Sequence, residues 1–344
     1  MDAISYTESL EMLDLSGGQR ALVTGANGFI GSHLAEALLE MRCAVRCMVR
    51  KTSDLAWLRN LDVERVYGEL DDPASLERAV DSANWIFHLA GKTKALSRDE
   101  YFRVNAAGTE KLLQAASKAS GSLKRFVYAS SLAAAGPGAD GRAVTEDDPP
   151  GPLTWYGESK LEGERITLRF GDRIPVTIIR PPPVFGPRDL DVFQFFKAVR
   201  HGIIPSVGRR DSRAAFLYVD DLVDGLIRAA AAHEAAGKTY FLASASCVEW
   251  REFGRIAAAA MGRRAVCVNV PFWLLSAVVH VREAISALTR KPSILNRQKL
   301  PEYRQPNWCC DSSKAEREIG FRPSCSLEEA VRRTVSWYLG QGWL

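Results

Sequence analysis

The sequence lacks the features that would place it in several large classes of protein. Lysine and arginine total 45 against 41 acids, a net charge of +4, and no dense basic run is present. A nucleic-acid partner is therefore not expected. None of the seven cysteines forms a CxxC pair and the five histidines are scattered, which argues against a metal site. We predict no metal, and reduced thiols in a cytoplasmic protein.

Long apolar runs are also absent. Residues 1–18 carry acids and have no apolar core, so we expect no signal peptide. The longest apolar stretch near the C-terminal third, Pro271 to Val281, stops at Arg282 and is too short to span a bilayer. It is compatible with core packing, with a helix lining an apolar substrate entrance, and with peripheral membrane contact.

What the sequence does contain is an alternation of short apolar runs and amphipathic segments. The predicted strands are Arg20–Thr24, Ala44–Val49, Val63–Tyr67, Trp85–Leu89, Arg125–Ala129, Val176–Arg180 and Thr239–Leu242. The predicted helices are Gly31–Met41, Ser75–Asp81, Glu100–Ser120, Ser159–Phe170 and Asp221–Ala232. Right-handed crossovers between such strands predict an α/β protein with a doubly wound parallel sheet and helices on both faces.

A glycine loop lies between the first predicted strand and the first predicted helix. Gly25, Gly28 and Gly31 form a GxxGxxG pattern. The first allows a tight turn, the second lets the backbone approach a diphosphate, and the third lets the helix pack on the strand. The helix N-terminus then offers free N–H groups to the phosphates. This context predicts a Rossmann dinucleotide-binding domain.

The predicted domain boundaries follow from where the alternation of strands and helices stops. The segment Arg180–Arg188 contains four prolines and cannot continue a strand, because proline donates no ladder hydrogen bond. We predict an N-terminal extension at 1–18 and a Rossmann domain at 19–180, completed by about 217–243. A smaller C-terminal substrate-binding lobe with the final helices would take 181–216 and 244–344.

The residues after the second predicted strand bear on the choice of dinucleotide. Arg50 and Lys51 stand there, where NAD-binding proteins usually have an acid for the ribose 2′-hydroxyl. A guanidinium can bind a 2′-phosphate through two charged hydrogen bonds, so the sequence favours NADP. If Arg50 instead stacks on the adenine or faces water, NAD remains the alternative.

A tyrosine and a lysine are placed to carry proton chemistry. Tyr156 and Lys160 are one helical turn apart, so their side chains share a face. We expect the Lys160 ammonium and the nicotinamide charge to lower the pKa of the phenol, which can then exchange a proton with the substrate oxygen during hydride transfer. Ser130 and Ser131 end the preceding strand, at the edge where α/β sheets bind ligands.

With these residues the chain resembles the extended short-chain dehydrogenase/reductase family over nearly its whole length. The motifs, in family order, are Thr24-Gly-Ala-Asn-Gly-Phe-Ile-Gly31, Gly68-Glu-Leu70, His88-Leu-Ala-Gly91, Asn105-Ala-Ala-Gly-Thr109, Tyr128-Ala-Ser-Ser131, Tyr156-Gly-Glu-Ser-Lys160 and Arg180-Pro181. The resemblance implies that Ser131 is the catalytic hydroxyl beside Tyr156 and Lys160, and that Asn105 maintains a proton path. It implies a homodimer formed through the helices at Glu100–Ser120 and Ser159–Phe170.

The resemblance also implies a cofactor site. Together with Arg50 its residues would be Gly25, Asn27, Gly28, Phe29, Ile30, Gly31, Glu69, Leu70, Leu89, Ala90, Gly91, Tyr156, Lys160, Pro183 and Val184. Glu69 is a departure, because family members usually have aspartate at this position to meet the adenine amine.

Several positions point to one branch of the family. Its dehydratases follow the catalytic hydroxyl with Asp-Glu, whereas Leu132-Ala133 follow it here and cannot transfer protons. Its sugar-nucleotide epimerases usually have asparagine at Pro183. The segments Val184–Asp189, Phe216–Asp221 and Phe272–Leu275 resemble 3β-hydroxysteroid and sterol dehydrogenases, and Val49–Asp54 resembles dihydroflavonol reductases. The run Leu132–Ala135 predicts either an apolar pocket floor or strand packing.

We therefore predict an NAD(P)-dependent oxidoreductase that interconverts a secondary alcohol and a ketone on a hydrophobic small molecule, steroid-like or flavonoid-like. The first alternative is a nucleotide-sugar epimerase that uses the same Tyr156. The second is a non-catalytic protein that senses its cofactor, against which the intact Ser131, Tyr156 and Lys160 argue.

Overall fold

The computed structural model describes residues 19–138, 141–207, 212–244, 247–289 and 296–344; the predicted extension at 1–18 lies outside them. The strands are β1 Arg20–Thr24, β2 Ala44–Val49, β3 Glu64–Tyr67, β4 Trp85–His88, β5 Arg125–Ala129, β6 Val176–Arg180, β7 Val184–Phe185, β8 Ile203–Val207, β9 Arg213–Ala214, β10 Leu217–Tyr218, β11 Lys238–Phe241, β12 Val248–Glu249, β13 Val266–Val270 and β14 Asn307–Trp308.

The helices follow the same alternation. They are α1 Phe29–Glu40, α2 Pro73–Val80, α3 Arg98–Phe102, α4 Gly108–Lys118, α5 Leu132–Ala135, α6 Trp155–Arg169, α7 Phe193–Arg200, α8 Val219–Ala231, α9 Trp250–Ala260, α10 Phe272–Thr289, α11 Leu300–Arg304, α12 Ser313–Ile319 and α13 Leu327–Gly340. A π-helical segment, Arg103–Ala107, joins α3 to α4. No helix in the described ranges is long and apolar enough to cross a membrane.

A seven-stranded sheet forms the centre of the protein. Its strand order is β11-β6-β5-β4-β1-β2-β3, and every neighbouring pair is parallel. The chain builds outward from β1 towards β3 and then returns to build from β4 towards β11. This confirms the doubly wound α/β fold, and it places the switch point between β1 and β4, where such sheets bind ligands beyond the strand ends.

Apolar side chains cover both faces of this sheet. Leu34 and Leu38 of α1 pack with Leu222 and Leu226 of α8 on one face. The opposite face is covered by α2, α4 and α6, whose buried residues include Leu76, Leu112 and Ile166. Strands with two covered faces read as short continuous apolar runs, which is why β1 and β6 could be recognised from the sequence.

The C-terminal lobe has its own aromatic core. Phe216 and Phe253 stack with ring centroids 4.2 Å apart, and Phe185, Phe196 and Tyr338 pack around them. Small sheets complete the lobe: β10 with β7, β13 with β8, and β12-β9-β14. The last of these brings Cys247 and Cys309 together as a disulfide with Cα atoms 5.8 Å apart. The expectation of reduced thiols is wrong for this pair, because the two cysteines are 62 residues apart in sequence and meet only through the small strands β12 and β14 on either side of β9.

Two further expectations need correction. The run Leu132–Ala135 forms the short helix α5 rather than a strand, and Leu132 and Ala135 are buried against Val144 and Phe241; its role as a pocket floor stays a prediction. The helix predicted at Ser159–Phe170 begins earlier, at Trp155. The Thr154 hydroxyl accepts a hydrogen bond from the Gly157 N–H and so caps that earlier turn.

Candidate active site

The glycine loop forms a cradle at the carboxyl end of β1. Gly25 has a φ of +71°, and a Cβ atom there would lie 2.9 Å from the Ala90 nitrogen. A Cβ at Gly31 would overlap the Gly25 carbonyl. Helix α1 starts at Phe29 with Gly28 as its N-cap, without a side-chain cap and without an acid in its first turn. These open N–H groups fit a dinucleotide diphosphate.

The other predicted residues of the glycine loop differ in how their side chains are placed. Asn27 is half-buried beside the loop. Phe29 and Ile30 pack their side chains against the aromatic core of the lobe. That packing leaves their backbone N–H groups, rather than their side chains, for a phosphate.

Residues after β4 face this cradle. The Ala90 N–H donates to Thr24 Oγ1 at 3.2 Å, which ties the β4 end to the β1 end. A Cβ at Gly91 would lie 3.1 Å from Asn105 Oδ1 and 4.0 Å from Lys160 Nζ. Leu89 and Ala90 are half-buried. The structure therefore brings this segment between the glycine loop and the predicted catalytic lysine.

The positions predicted for the adenosine half lie at the ends of β2 and β3. Arg50 is exposed directly after β2 and forms no ion pair within the described part of the chain. Glu69 is exposed after β3, where its N–H bonds to Ser75 Oγ at 3.1 Å. Leu70 is half-buried, with its side chain close to Gly108.

Pro183 and Val184 lie on the far side of the cleft. Pro183 is exposed, and its carbonyl accepts from the Leu217 N–H at 3.1 Å. Val184 is half-buried in β7, paired with Leu217. Their contact with a nicotinamide carboxamide stays a prediction.

Tyr156 lies in the first turn of α6, close enough to the hydroxyl of Ser131 for that hydroxyl to lower its pKa. Ser131 is the N-cap of α5, and its oxygen accepts from the Ala133 N–H at 3.1 Å. Ser130 turns the other way and donates to the buried carboxylate of Glu164. Of the two serines at the end of β5, the structure thus brings Ser131 to the tyrosine.

The pKa values of this pair differ from the sequence-based expectation. Burial raises the pKa of Tyr156 to about 12, while the nearby hydroxyl of Ser131 opposes the rise. Burial also lowers the pKa of Lys160 to about 7, against the attraction of Glu164. The expectation that Lys160 lowers the pKa of the phenol is wrong for the chain by itself, because burial and the carboxylates of Glu302 and Asp191 all raise that pKa and no cation among the described residues opposes them.

Lys160 is held by groups other than the tyrosine. Its Nζ donates to the Ala129 carbonyl at 2.6 Å and lies 4.2 Å from the centre of the Tyr128 ring. One turn further along α6, Glu164 forms a bidentate ion pair with Arg180 at 2.9 and 2.7 Å. Glu164 was missed in the sequence, although its position four residues after Lys160 was a readable signal.

Asn105 is fully engaged inside the π-helical segment. Its Nδ2 donates to the Lys92 carbonyl at 3.0 Å and to Ser159 Oγ at 2.9 Å, and its Oδ1 accepts from the Lys92 N–H at 2.7 Å. π-helical turns are rare and occur often at functional sites. Here Asn105 is joined to α6 through Ser159; the predicted proton path stays a prediction.

A buried chain of hydrogen bonds joins the glycine loop to this segment. His88 Nδ1 lies 2.7 Å from Thr24 Oγ1, and its Nε2 lies 3.0 Å from Thr109 Oγ1. Thr109 donates to the Asn105 carbonyl at 2.8 Å. Because Thr24 Oγ1 already accepts from the Ala90 N–H, its own hydroxyl proton is donated to His88 Nδ1. The His88 proton then lies on Nε2 and is donated to Thr109, so each of these polar groups has a partner. Burial lowers the pKa of His88 to about 3, so the ring is neutral.

Residues from the C-terminal part of the chain lie over Tyr156. Thr154 Oγ1 donates to Glu302 Oε1 on α11 at 3.0 Å, and Lys299 Nζ lies 5.6 Å from the centre of the Tyr156 ring. The Tyr101 ring lies 6.2 Å from that of Tyr156. No local pattern links Thr154 to a residue so distant in sequence, so the motifs gave no sign of this cover.

Comparison with known proteins agrees with this geometry. The model of the NAD dependent epimerase/dehydratase family matches residues 21–243. The chain belongs to this family. As a member of the epimerase/dehydratase family it is an NAD-dependent oxidoreductase of the extended short-chain type, which confirms the predicted family and enzyme class.

Individual members of the family are similar along nearly the whole chain. A ceramide reductase from Caulobacter vibrioides (strain NA1000 / CB15N) is 31% identical over 330 residues, covering 94% of this chain and 95% of that protein. A 3 beta-hydroxysteroid dehydrogenase/Delta 5→4-isomerase from Mycobacterium tuberculosis (strain ATCC 25618 / H37Rv) is 30% identical over 348 residues, covering 93% and 90%. The solved structure of MoeE5 in complex with UDP-glucuronic acid and NAD has a TM-score of 0.75 at 25% identity, covering 94% and 100%.

Proposed function

We propose that the protein is an NADP(H)-linked reductase or dehydrogenase of a hydrophobic secondary alcohol or ketone, with Ser131, Tyr156 and Lys160 as its catalytic residues. One observation carries the proposal: Ser131 and Tyr156 lie close together at the carboxyl edge of the sheet, next to the glycine cradle. The residues that follow Ser131 are Leu132 and Ala133, which exclude an acid–base pair for water loss at that place.

The chain's own residues would handle the proton in this reaction. The bound nicotinamide supplies or accepts the hydride. Ser131 holds the substrate oxygen, and Tyr156 donates its proton to that oxygen as a ketone is reduced. Because burial raises the pKa of Tyr156 to about 12, the phenol is protonated at neutral pH. The chain alone is therefore prepared to donate a proton, which favours ketone reduction.

The substrate class is inferred from the relatives and from this chain's departures. The two relatives described above are named for a ceramide and for a 3β-hydroxysteroid, both of which are large apolar molecules with an oxygen to oxidise or reduce. Pro183 offers neither a side-chain donor nor an N–H to a sugar diphosphate. These observations favour a lipid-like substrate over a nucleotide sugar.

The exposed, unpaired position of Arg50 supports NADP over NAD. A charge-assisted hydrogen bond contributes about 1.5–3 kcal/mol, so Arg50→Ala should weaken NADP binding by about 10- to 150-fold and change NAD binding little. Arg59→Ala, at another exposed arginine, is the matched control. Titration calorimetry with both dinucleotides measures the effect, and equal losses for NAD and NADP would contradict the assignment.

Catalysis by Tyr156 is tested with Tyr156→Phe, which keeps the ring and removes the proton. We expect kcat/KM for ketone reduction to fall by about 10²- to 10⁴-fold, with dinucleotide binding retained. Tyr67→Phe, at a tyrosine that is 49% exposed on β3, is the control and should be fully active. Turnover of long-chain and steroid ketones is followed by nicotinamide absorbance. Full activity of Tyr156→Phe would overturn the proposal.

The structural likeness to MoeE5, which was solved with UDP-glucuronic acid and NAD, favours a second candidate, a nucleotide-sugar epimerase. An epimerase oxidises and re-reduces the same carbon and gives no net change in nicotinamide absorbance. Incubation with UDP-sugars, followed by chromatography of the sugar products, separates the two functions. Epimerised sugar without net redox turnover would establish the alternative.

A further inference from the structure

The helix α10 exposes an apolar face. It runs for 18 residues, and its inward side buries Leu275 and Val279. Large side chains on the outward side are exposed by 41 to 86%: Trp273, Leu274, Val278, Val281, Ile285 and Leu288. From Leu274 onwards they recur every three or four residues, so they form one continuous stripe. A contiguous exposed stripe of this kind marks an interaction surface.

The stripe begins beside the cover of the catalytic tyrosine. The guanidinium of Arg304, at the end of α11, lies 4.3 Å from the centre of the Phe272 ring, at the start of α10. The same short helix carries Glu302, which accepts from Thr154 at the start of the catalytic helix. A molecule that reached the protein along α10 would therefore arrive next to the element that covers Tyr156.

A positive charge lies beside the stripe. Arg282, which follows Val281 on α10, is exposed and forms no ion pair with any residue that the structure describes. The acid on the same helix, Glu283, is paired with Arg297. A cationic side chain beside an apolar stripe matches an anionic lipid surface.

We propose that the apolar face of α10 docks on a lipid bilayer that contains anionic lipid, with the helix lying in the plane of the interface. Docking does not depend on the enzyme's substrate. Its consequence, that a lipid ketone passes from the bilayer along α10 to Tyr156, rests on the proposed function.

Binding of the full chain to vesicles tests the proposal. Vesicles of phosphatidylcholine, alone or with phosphatidylglycerol, are sedimented with the protein, and the bound fraction is measured. Ile285→Asp places a charge in the stripe and should lower binding by about tenfold or more. Leu339→Asp, at an apolar residue of α13 that is 44% exposed, is the matched control and should bind like the unaltered chain. Arg282→Glu should weaken binding to the phosphatidylglycerol vesicles selectively, and added salt should do the same.

The results distinguish docking on a bilayer from association between copies of the chain. Equal loss in Ile285→Asp and Leu339→Asp, or no loss in either, overturns the proposal. If Ile285→Asp instead lowers the mass of the lipid-free protein in light scattering, the stripe is a contact between copies and the proposal is also overturned. Ile285→Asp should reduce a short, dispersed ketone at the normal rate and a vesicle-embedded ketone more slowly. If neither ketone reacts with any variant while vesicle binding still depends on Ile285, the proposed function fails and docking stands.

Discussion

Replacing Glu164 by glutamine should destabilise the protein strongly. Glu164 and Arg180 are 2% and 6% exposed, and two hydrogen bonds of 2.9 and 2.7 Å join them. The substitution leaves the Arg180 guanidinium buried without a counter-charge, which costs about 3–5 kcal/mol. Since whole proteins are stable by about 5–15 kcal/mol, the loss would be a large fraction of the total.

Chemical denaturation at neutral pH measures this loss. The control is Glu316→Gln, which breaks the ion pair with Arg322; the Arg322 and Glu316 side chains are 78% and 50% exposed, so the change should cost less than about 1 kcal/mol. The double variant Glu164→Met with Arg180→Met removes both charges and should recover most of the stability. If Glu164→Gln loses no more than Glu316→Gln, the reasoning about the buried pair is refuted.

The same substitution has a second readout at the active site. Glu164 attracts the ammonium of Lys160 and holds the pKa of that group up against burial. In Glu164→Gln the pKa of Lys160 should therefore fall further below its ordinary value. If the ammonium is the active form, the alkaline limb of the pH profile of kcat/KM moves to lower pH. An unchanged profile would limit Glu164 to a structural role.

Two further substitutions test the catalytic lysine and the glycine cradle. Burial lowers the pKa of Lys160 from 10.5 to about 7, so between these values the unfolded chain holds more protons and stability rises with pH. Lys160→Met should abolish activity and remove that rise in stability. The rise is measured as the difference in melting temperature between the low and high ends of this pH window, and the same difference in the variant and the unaltered protein would refute the lowered pKa. A Cβ at Gly31 would overlap the Gly25 carbonyl, so Gly31→Ala should lose dinucleotide binding by calorimetry. Gly121→Ala, with no atom within 4 Å of the new Cβ, should bind normally, and equal binding by both variants would contradict the cradle.

The parallel sheet could be predicted from the sequence because its strands are buried on both faces. The bounds of β1, β2, β5 and β6 agree with the predicted runs at both ends. Each is a short run of mostly apolar residues next to turn or helix residues, so local pattern was sufficient. Helix starts were harder to predict. The start of α6 depends on the Thr154 cap, which stands in a segment without apolar periodicity.

The parts of the site that the sequence did not predict depend on contacts between distant segments. Tyr156 and Ser131 could be proposed from order and spacing, and the structure does bring them together. The raised pKa of the phenol could not be predicted, because it is set by burial in the folded protein and by carboxylates distant in sequence, Glu302 and Asp191. The disulfide of Cys247 and Cys309 was missed for the same reason: it requires knowing which small strands are neighbours.

The contact between Thr154 and Glu302 has a consequence for how the enzyme matures. The two side chains are 148 residues apart in sequence, so the catalytic helix cannot receive its cover until α11 has left the ribosome. The Rossmann sheet can form earlier, since most of its strands precede residue 181. A nascent chain stalled before α11 would thus lack this hydrogen bond, and the start of α6 would gain it only near the end of synthesis.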